Sequence, residues 1–380
     1  MINWEKKFLR DINIYIPILV FMLIIIGLVA ISSAVEINNK EIDSYKFLQK
    51  QAISIFIGLI IIMIIQLFDY RIFLDYSLVI YVSTSFILLL ILIIGKTVSG
   101  GTRWLLLGPL NFQPSEVAKI MVIIVLATIL SDEKDKLGYL IGFFKPVIII
   151  SLPFILILLQ NDLGTSLVLI FVFIIMLYIA GGNSRYISII VFGGLSIVIF
   201  VVWAHLHFGT TLFFLKDYQI DRLIAFINPS VDPHGIGYNI IQSKIALGSG
   251  RLFGKGLFAG TQNQLNFLPA KHTDFIFSVI GEEFGFIGIT LVILLYLLLF
   301  WQFIKVAEEA RDFTGKLIVI GITAMFLFHV LENIGMTMGV MPITGIPLPF
   351  ISYGGSSMVT SLSAIGLVLN VNMRKKKILF

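Results

Sequence analysis

Four stretches of this chain place ionisable side chains where a polar segment gives way to an apolar one. In QNQLNFLPAKHTDFIFSVIGEEFG (262–285), Asp274 stands at such a junction, preceded by Lys271, His272 and Thr273. A carboxylate where water meets hydrocarbon is costly unless it is capped or used. Asp274 is a candidate N-cap for the helix that follows. It is equally a candidate base, or a ligand for a divalent cation, Mg or Mn. Partial desolvation would raise its pKa toward values useful to a base.

The second stretch is GGTRWLLLGPLNFQPSEVAK (100–119). Glu116 and Lys119 are three apart and share a helix face. They read as a surface ion pair, or as a site in which Lys119, a turn into the membrane, meets a lipid phosphate. Pro114 suits the first turn of that helix. Arg103 and Trp104 read as an interfacial pair, or as a phosphate-binding Arg beside a sugar-stacking Trp. In QNDLGTS (160–166), Asp162 caps a helix or lines a site. GIPLPFISYGGSS (345–357) carries Ser356 behind two prolines and paired glycines, a backbone that must line protein or a cavity if it enters a membrane. Arg222, Lys244, Arg251, Lys255 and Lys271 give the segment before Asp274 a basic surface. Gly250, Gly254 and Gly256 would let its backbone approach a pyrophosphate. GRLFGKG (250–256) lacks the Walker pattern. His329 with Glu332, and Glu282 with Glu283, lie inside apolar runs and are functional candidates by that placement; packing against Asn333 is the plainer alternative.

The elements that must position these groups are membrane helices. Of 380 residues, 58% are hydrophobic and 13% charged, against about a quarter charged in soluble domains. The chain has no cysteine, which excludes disulfides and thiolate metal sites. The net charge of +5 lies mostly in basic loops and gives no nucleic-acid signal. No cleavable signal pattern and no internal repeat is evident. Runs of about 20 apolar residues predict ten spans, at 14–34, 47–68, 74–95, 115–130, 141–159, 165–180, 186–208, 275–303, 317–338 and 352–373. The fourth and sixth are short. The eighth is long enough to tilt or to start late.

Short loops on one side carry fourteen Lys and Arg (Lys6, Lys7, Arg10, Arg71, Lys134, Lys136, Arg185, Lys305, Arg311, Lys316 and Arg374 to Lys377). Those on the other carry four: Lys40, Lys46, Lys96 and Arg103. Positive charge stays inside, so both termini are expected in the cytoplasm and all four stretches outside. One transmembrane domain, 1–380, is expected, with a large exterior loop at 209–274. That loop is too long for a simple connector. Within it 236–247 reads as an amphipathic helix and 248–260, with five glycines, as flexible.

Taken in order, GGTRW and FQPSEVAK (100–119), DLGTS (162–166), the 228–250 segment ending IIQSKIALGSG, the 254–285 segment ending HTDFIFSVIGEEFG, and GIPLPFISYGGSS resemble the SEDS family (shape, elongation, division and sporulation) over nearly the whole chain. HTDFIF and IIQSKIALGSG resemble its elongation branch. The resemblance implies an all-α, ten-helix polytopic peptidoglycan glycosyltransferase of the cytoplasmic membrane. It would polymerise lipid II on the outer face, using undecaprenyl-linked glycan. A class B penicillin-binding protein and the elongation machinery would be its partners. The family's essential Asp falls on Asp274, its Trp on Trp104, and the Glu and Lys of its SE–AK motif on Glu116 and Lys119. Asp274, Glu116 and Lys119 are then catalytic candidates. Arg103, Trp104, Asp162, Arg222, Lys255, Gln262 and Ser356 are substrate-binding ones. The pattern departs at Asn161, where Pro is expected. A lipid II flippase would use the same anionic-lipid site with an inward route added, and a scaffold would leave the polar helix mouths without a use.

Overall fold

The computed structural model describes residues 13–35, 41–98, 101–107, 110–208, 217–233 and 235–375. It is almost entirely helical. The apolar runs become α1 (Tyr15–Val35), α2 (Glu41–Leu67), α4 (Ser77–Ile94), α5 (Pro114–Asp132), α6 (Leu140–Leu159), α7 (Leu163–Ile179), α8 (Ser184–Phe208), α12 (Ile276–Glu308), α13 (Phe313–Met338) and α14 (Gly355–Met373). Short α3 (Tyr70–Asp75) joins α2 to α4. Nine of the ten have membrane-crossing length and hydropathy. The tenth, α7, is apolar but has 17 residues, about 25 Å at 1.5 Å per residue. The ten expected spans are thus all present as helices.

Burial sorts them into an inner and an outer set. Of their apolar windows, 78% is buried in α5, 67% in α13 and 83% in α14, but only 11% in α8. The inner helices pair with α7, α12 and α2 and carry the polar side chains of interest. The outer ones turn large apolar side chains such as Phe192 and Ile197 outward, as a lipid-facing helix must.

Three features at the Asp274 end differ from the reading of the sequence. First, the segment before α5 is a three-stranded antiparallel meander, β1 (Lys96–Val98), β2 (Gly101–Leu107) and β3 (Leu110–Phe112), with Leu105 opposite Phe112. Secondly, α12 is not a single straight rod, which at 33 residues would exceed the bilayer. It breaks at Gly285, whose φ is 64°. Thirdly, the glycine-rich 248–260 segment is hydrogen-bonded into that break. Lys255 N and Gly256 N donate to the carbonyls of Glu282 and Glu283, while Phe286 N and Ile287 N donate to those of Arg251 and Leu252. Groups freed by the kink are thereby satisfied. A Cβ on Gly250 would lie 1.9 Å from Gly281 O, and one on Gly254 2.1 Å from Glu283 O. These glycines serve close packing on α12 rather than approach to a pyrophosphate.

The described part of the large loop forms α9 (Asp217–Ile227), α10 (Ile236–Ser249) and one-turn α11 (Thr261–Gln264). The amphipathic helix expected at 236–247 is α10. It buries Gly237, Ile240, Ser243 and Ala246 against the ends of α12 and α13. Ser243 Oγ donates to Thr337 O at 2.8 Å. The 339–354 segment is a re-entrant turn. Phe350 and Ile351 are buried, Tyr296 from within α12 donates to Pro349 O at 2.5 Å, and a Cβ on Gly27 of α1 would touch the Ile351 backbone at 2.7 Å.

Candidate active site

Asp274 sits in the turn that feeds α12, its N–H donating to Ala270 O. It does not cap the helix. Phe275 occupies that position, and no side chain bonds there. The carboxylate is left for other use. Its backbone carbonyl accepts from Asn333 Nδ2 at 2.9 Å, and the other hydrogen of that amide goes to Ile346 O at 2.9 Å. One buried side chain of α13 thus fixes both the Asp274 peptide and the re-entrant turn. Ser352 Oγ donates to Thr273 O at 2.6 Å, and Tyr353 N to His272 O at 2.9 Å. Gly345, at φ 76°, comes so close that a Cβ would lie 3.3 Å from Asp274 Oδ2.

Burial pushes the Asp274 carboxyl above the usual carboxylate range, while the Thr273 hydroxyl, Arg103 and Arg222 pull it back. The carboxyl is thus less acidic than a solvated Asp, with the charges of two guanidinium groups acting on it. Arg222, from α9, donates to Thr344 O at 3.2 Å. Thr344 Oγ1 donates to Glu332 Oε1 at 2.9 Å. Arg103, from β2, pairs with Asp162 Oδ1 at 3.2 Å, and its Nε is a buried donor without a partner. Asp162 also caps Thr165 N and accepts from Gln113 Nε2 and Ser115 Oγ. Gln113 N donates to Ser356 Oγ at 3.0 Å. Arg103, Asp162, Arg222 and Ser356 therefore line the same end of the bundle as Asp274, tied together by Gln113, Thr344 and Asn333, which the sequence motifs did not single out for a role.

Trp104 follows Arg103 on β2, where the β1–β2 register is irregular, Lys96 pairing with Trp104 and Thr97 with Thr102. Four expected site residues, Lys119, Glu116, Lys255 and Gln262, sit elsewhere or differently. Lys119 is 1% exposed. Its Nζ lies 2.9 Å from Glu116 Oε1 and 3.0 Å from His329 Nε2, so it is enclosed with its own anion rather than offered to a phosphate. Glu116 is buried with it. Lys255 Nζ is 2.7 Å from Glu282 Oε1, and Gln262 N donates to the same oxygen at 2.9 Å. Both belong to a second polar cluster at the top of α12, where a buried glutamate takes up the lysine's charge. In that cluster Glu283 accepts from Ser33 Oγ and from Asn263 Nδ2. Lys271 donates to Asn263 O and Asn266 Oδ1. Burial lowers the Lys271 pKa to about 8, against the pull of Glu283 and Glu282. Asn161, where Pro is the family pattern, has φ 61°, a left-handed conformation closed to proline and tolerated by Asn.

Among the described residues the side chains alone do not form a cluster of metal ligands. Asp274 has cations for neighbours, Asp162 and Glu332 have their own partners, and among the described residues no three His, Asp or Glu side chains gather around one point.

Ten apolar helices with a half-shielded carboxylate and two arginines at one end of the bundle define a polytopic membrane protein with a polar site at that end. The FtsW/RodA/SpoVE cell cycle protein profile matches residues 14–377, and the chain belongs to that family. It is 37% identical to the probable peptidoglycan glycosyltransferase FtsW of Geobacter sp. (strain M18), covering 97% of this chain and 99% of that one. It is 36% identical to the peptidoglycan glycosyltransferase RodA of Treponema pallidum, over 92% and 95%, and 34% to MrdB of Escherichia coli, over 93% of each. Among solved structures it resembles a chain of a peptidoglycan synthase complex coordinating polymerization and crosslinking (TM-score 0.79, 28% identity, 95% and 97% covered). It also resembles RodA of Thermus thermophilus (TM-score 0.71, 26% identity, 96% and 98% covered). The protein is a peptidoglycan glycosyltransferase. Identities of 34–37% to division and elongation relatives alike do not separate the two branches.

Proposed function

We propose that the protein polymerises lipid II on the outer face of the cytoplasmic membrane, in the elongation mode that HTDFIF and IIQSKIALGSG suggest, with Asp274 as general base. The acceptor is the 4-hydroxyl of the GlcNAc of lipid II. The donor is a glycan strand on undecaprenyl pyrophosphate. As the acceptor oxygen bonds to the donor's anomeric carbon, its proton passes to Asp274, and the bond from that carbon to the pyrophosphate breaks. A sugar hydroxyl is a weak nucleophile, so a base within hydrogen-bond reach speeds attack. Charge collecting on the leaving pyrophosphate is stabilised by cations already in place, here Arg103 and Arg222, with Arg103 Nε a free donor. No step is assigned to a divalent cation, since these side chains alone do not provide its ligands.

The observation that supports this reading is the Asp274 carboxyl, made less acidic by burial while the charges of Arg103 and Arg222 favour its ionised form. The relative caught in a synthase complex supports a crosslinking penicillin-binding protein as partner. The basic loops support cytoplasmic termini. Purified protein, with its partner, given lipid II in detergent is expected to yield glycan polymer. Lipid II left unpolymerised there, but moved across a bilayer by reconstituted protein, would favour a flippase.

A further inference from the structure

His329 takes no part in the chemistry above, yet its protonation is fixed by its neighbour. The Lys119 ammonium has donors only, and it lies 3.0 Å from His329 Nε2. That nitrogen must supply the lone pair, so the ring proton sits on Nδ1. Nδ1–H is a buried donor with no acceptor. One turn further along α13, Asn333 gives its two amide hydrogens to Asp274 O and Ile346 O. Those two carbonyls settle which end of the amide is which, and Oδ1 is left as a buried acceptor with no donor. Both residues are at most 2% exposed. Buried groups without partners are rare, and here a donor and an acceptor of matching polarity face the same side of one helix. The Cβ atoms of residues four apart on a helix lie about 5–6 Å from each other, so the two side chains are neighbours. One water, with a hydrogen bond of roughly 2.8 Å to each, is the bridge that such neighbours can share. The nearby acid, Glu332, is turned to Thr344.

We propose that one water molecule binds between His329 Nδ1–H and Asn333 Oδ1, and that His329, through this water, holds the amide that positions the Asp274 peptide. His329 is then a positioning residue. Lys119, with Glu116 compensating its charge, keeps the ring proton on the nitrogen that faces the water. This assigns a use to two buried residues that touch no substrate. It rests on Asp274 being the base only for its kinetic consequence; the water site itself does not depend on that.

Two substitutions separate the ends of the ring. The amide of Asn reaches where Nδ1 lies, and that of Gln where Nε2 lies. His329→Asn keeps a donor toward the water and gives up Lys119. His329→Gln keeps Lys119 and gives up the donor. In lipid II polymerisation, His329→Gln is expected to lower kcat about 10- to 100-fold, the scale of a slightly misplaced catalytic group, with KM for lipid II little changed. His329→Asn should retain most of the wild-type kcat. A high-resolution experimental structure should show ordered solvent between the two atoms in the wild type and none in His329→Gln. The reverse order of activities, equal loss in both variants, or no solvent density in the wild type would overturn the proposal. Wild-type protein that makes no polymer would instead remove the glycosyl-transfer reading, and the density would still decide the water.

Discussion

Asp274 is governed by two opposing effects. Burial favours its neutral form, while Thr273 and the guanidiniums of Arg103 and Arg222 favour the ionised one. A base must be ionised to accept a proton, so activity should fall as pH drops through a pKa above the ordinary carboxylate range. Removing one cation leaves burial less opposed. Arg103→Gln is therefore expected to move the acidic limb of kcat/KM to higher pH, and to weaken stabilisation of the leaving pyrophosphate at every pH. A limb that stays in place, read from pH profiles on lipid II, would mean that Arg103 does not sense the Asp274 charge. Lys119 shows the other outcome for a cation near hydrocarbon. With Glu116 and His329 around it, it is spent inside the protein.

At the scale of elements, the kink in α12 and the loop seated in it form one unit. The Gly285 break exposes backbone groups, and the 251–256 segment satisfies them. Gly250→Ala would put a methyl 1.9 Å from Gly281 O. Overpacking of this kind costs about 1–3 kcal/mol, so the variant should melt at a lower temperature in detergent; an unchanged melting temperature would show that the loop is free to move. This unit marks where the sequence stops being readable. Ten spans were legible because a run of apolar residues is a one-dimensional signal. Asp274, Asp162 and Arg103 were legible because motifs mark polar residues at helix mouths. The glycines of 248–260 looked like flexibility, since nothing local says that a broken helix lies against them. Lys119 looked available because its histidine partner is 210 positions away.

For the whole molecule, the helices that carry the polar groups are the buried ones, and the helices that face lipid carry almost none. The catalytic end is built from segments far apart in sequence: β2, the start of α7, α9, the turn before α12, and the re-entrant segment before α14. The proposed sidedness rests on charge alone and can be tested directly, because the chain has no cysteine. A single cysteine replacing exposed Leu257 should react with a membrane-impermeant maleimide in intact cells. One replacing exposed Asp135 should react only after permeabilisation; the opposite pattern would invert the protein and place its pocket in the cytoplasm. The most direct test of the account is polymerisation of purified lipid II by Asp274→Asn beside the wild type. The variant should keep the wild-type melting behaviour while polymer formation falls by about 10²–10⁴-fold, the usual contribution of a general base. Near-wild-type polymer from a correctly folded Asp274→Asn would contradict it.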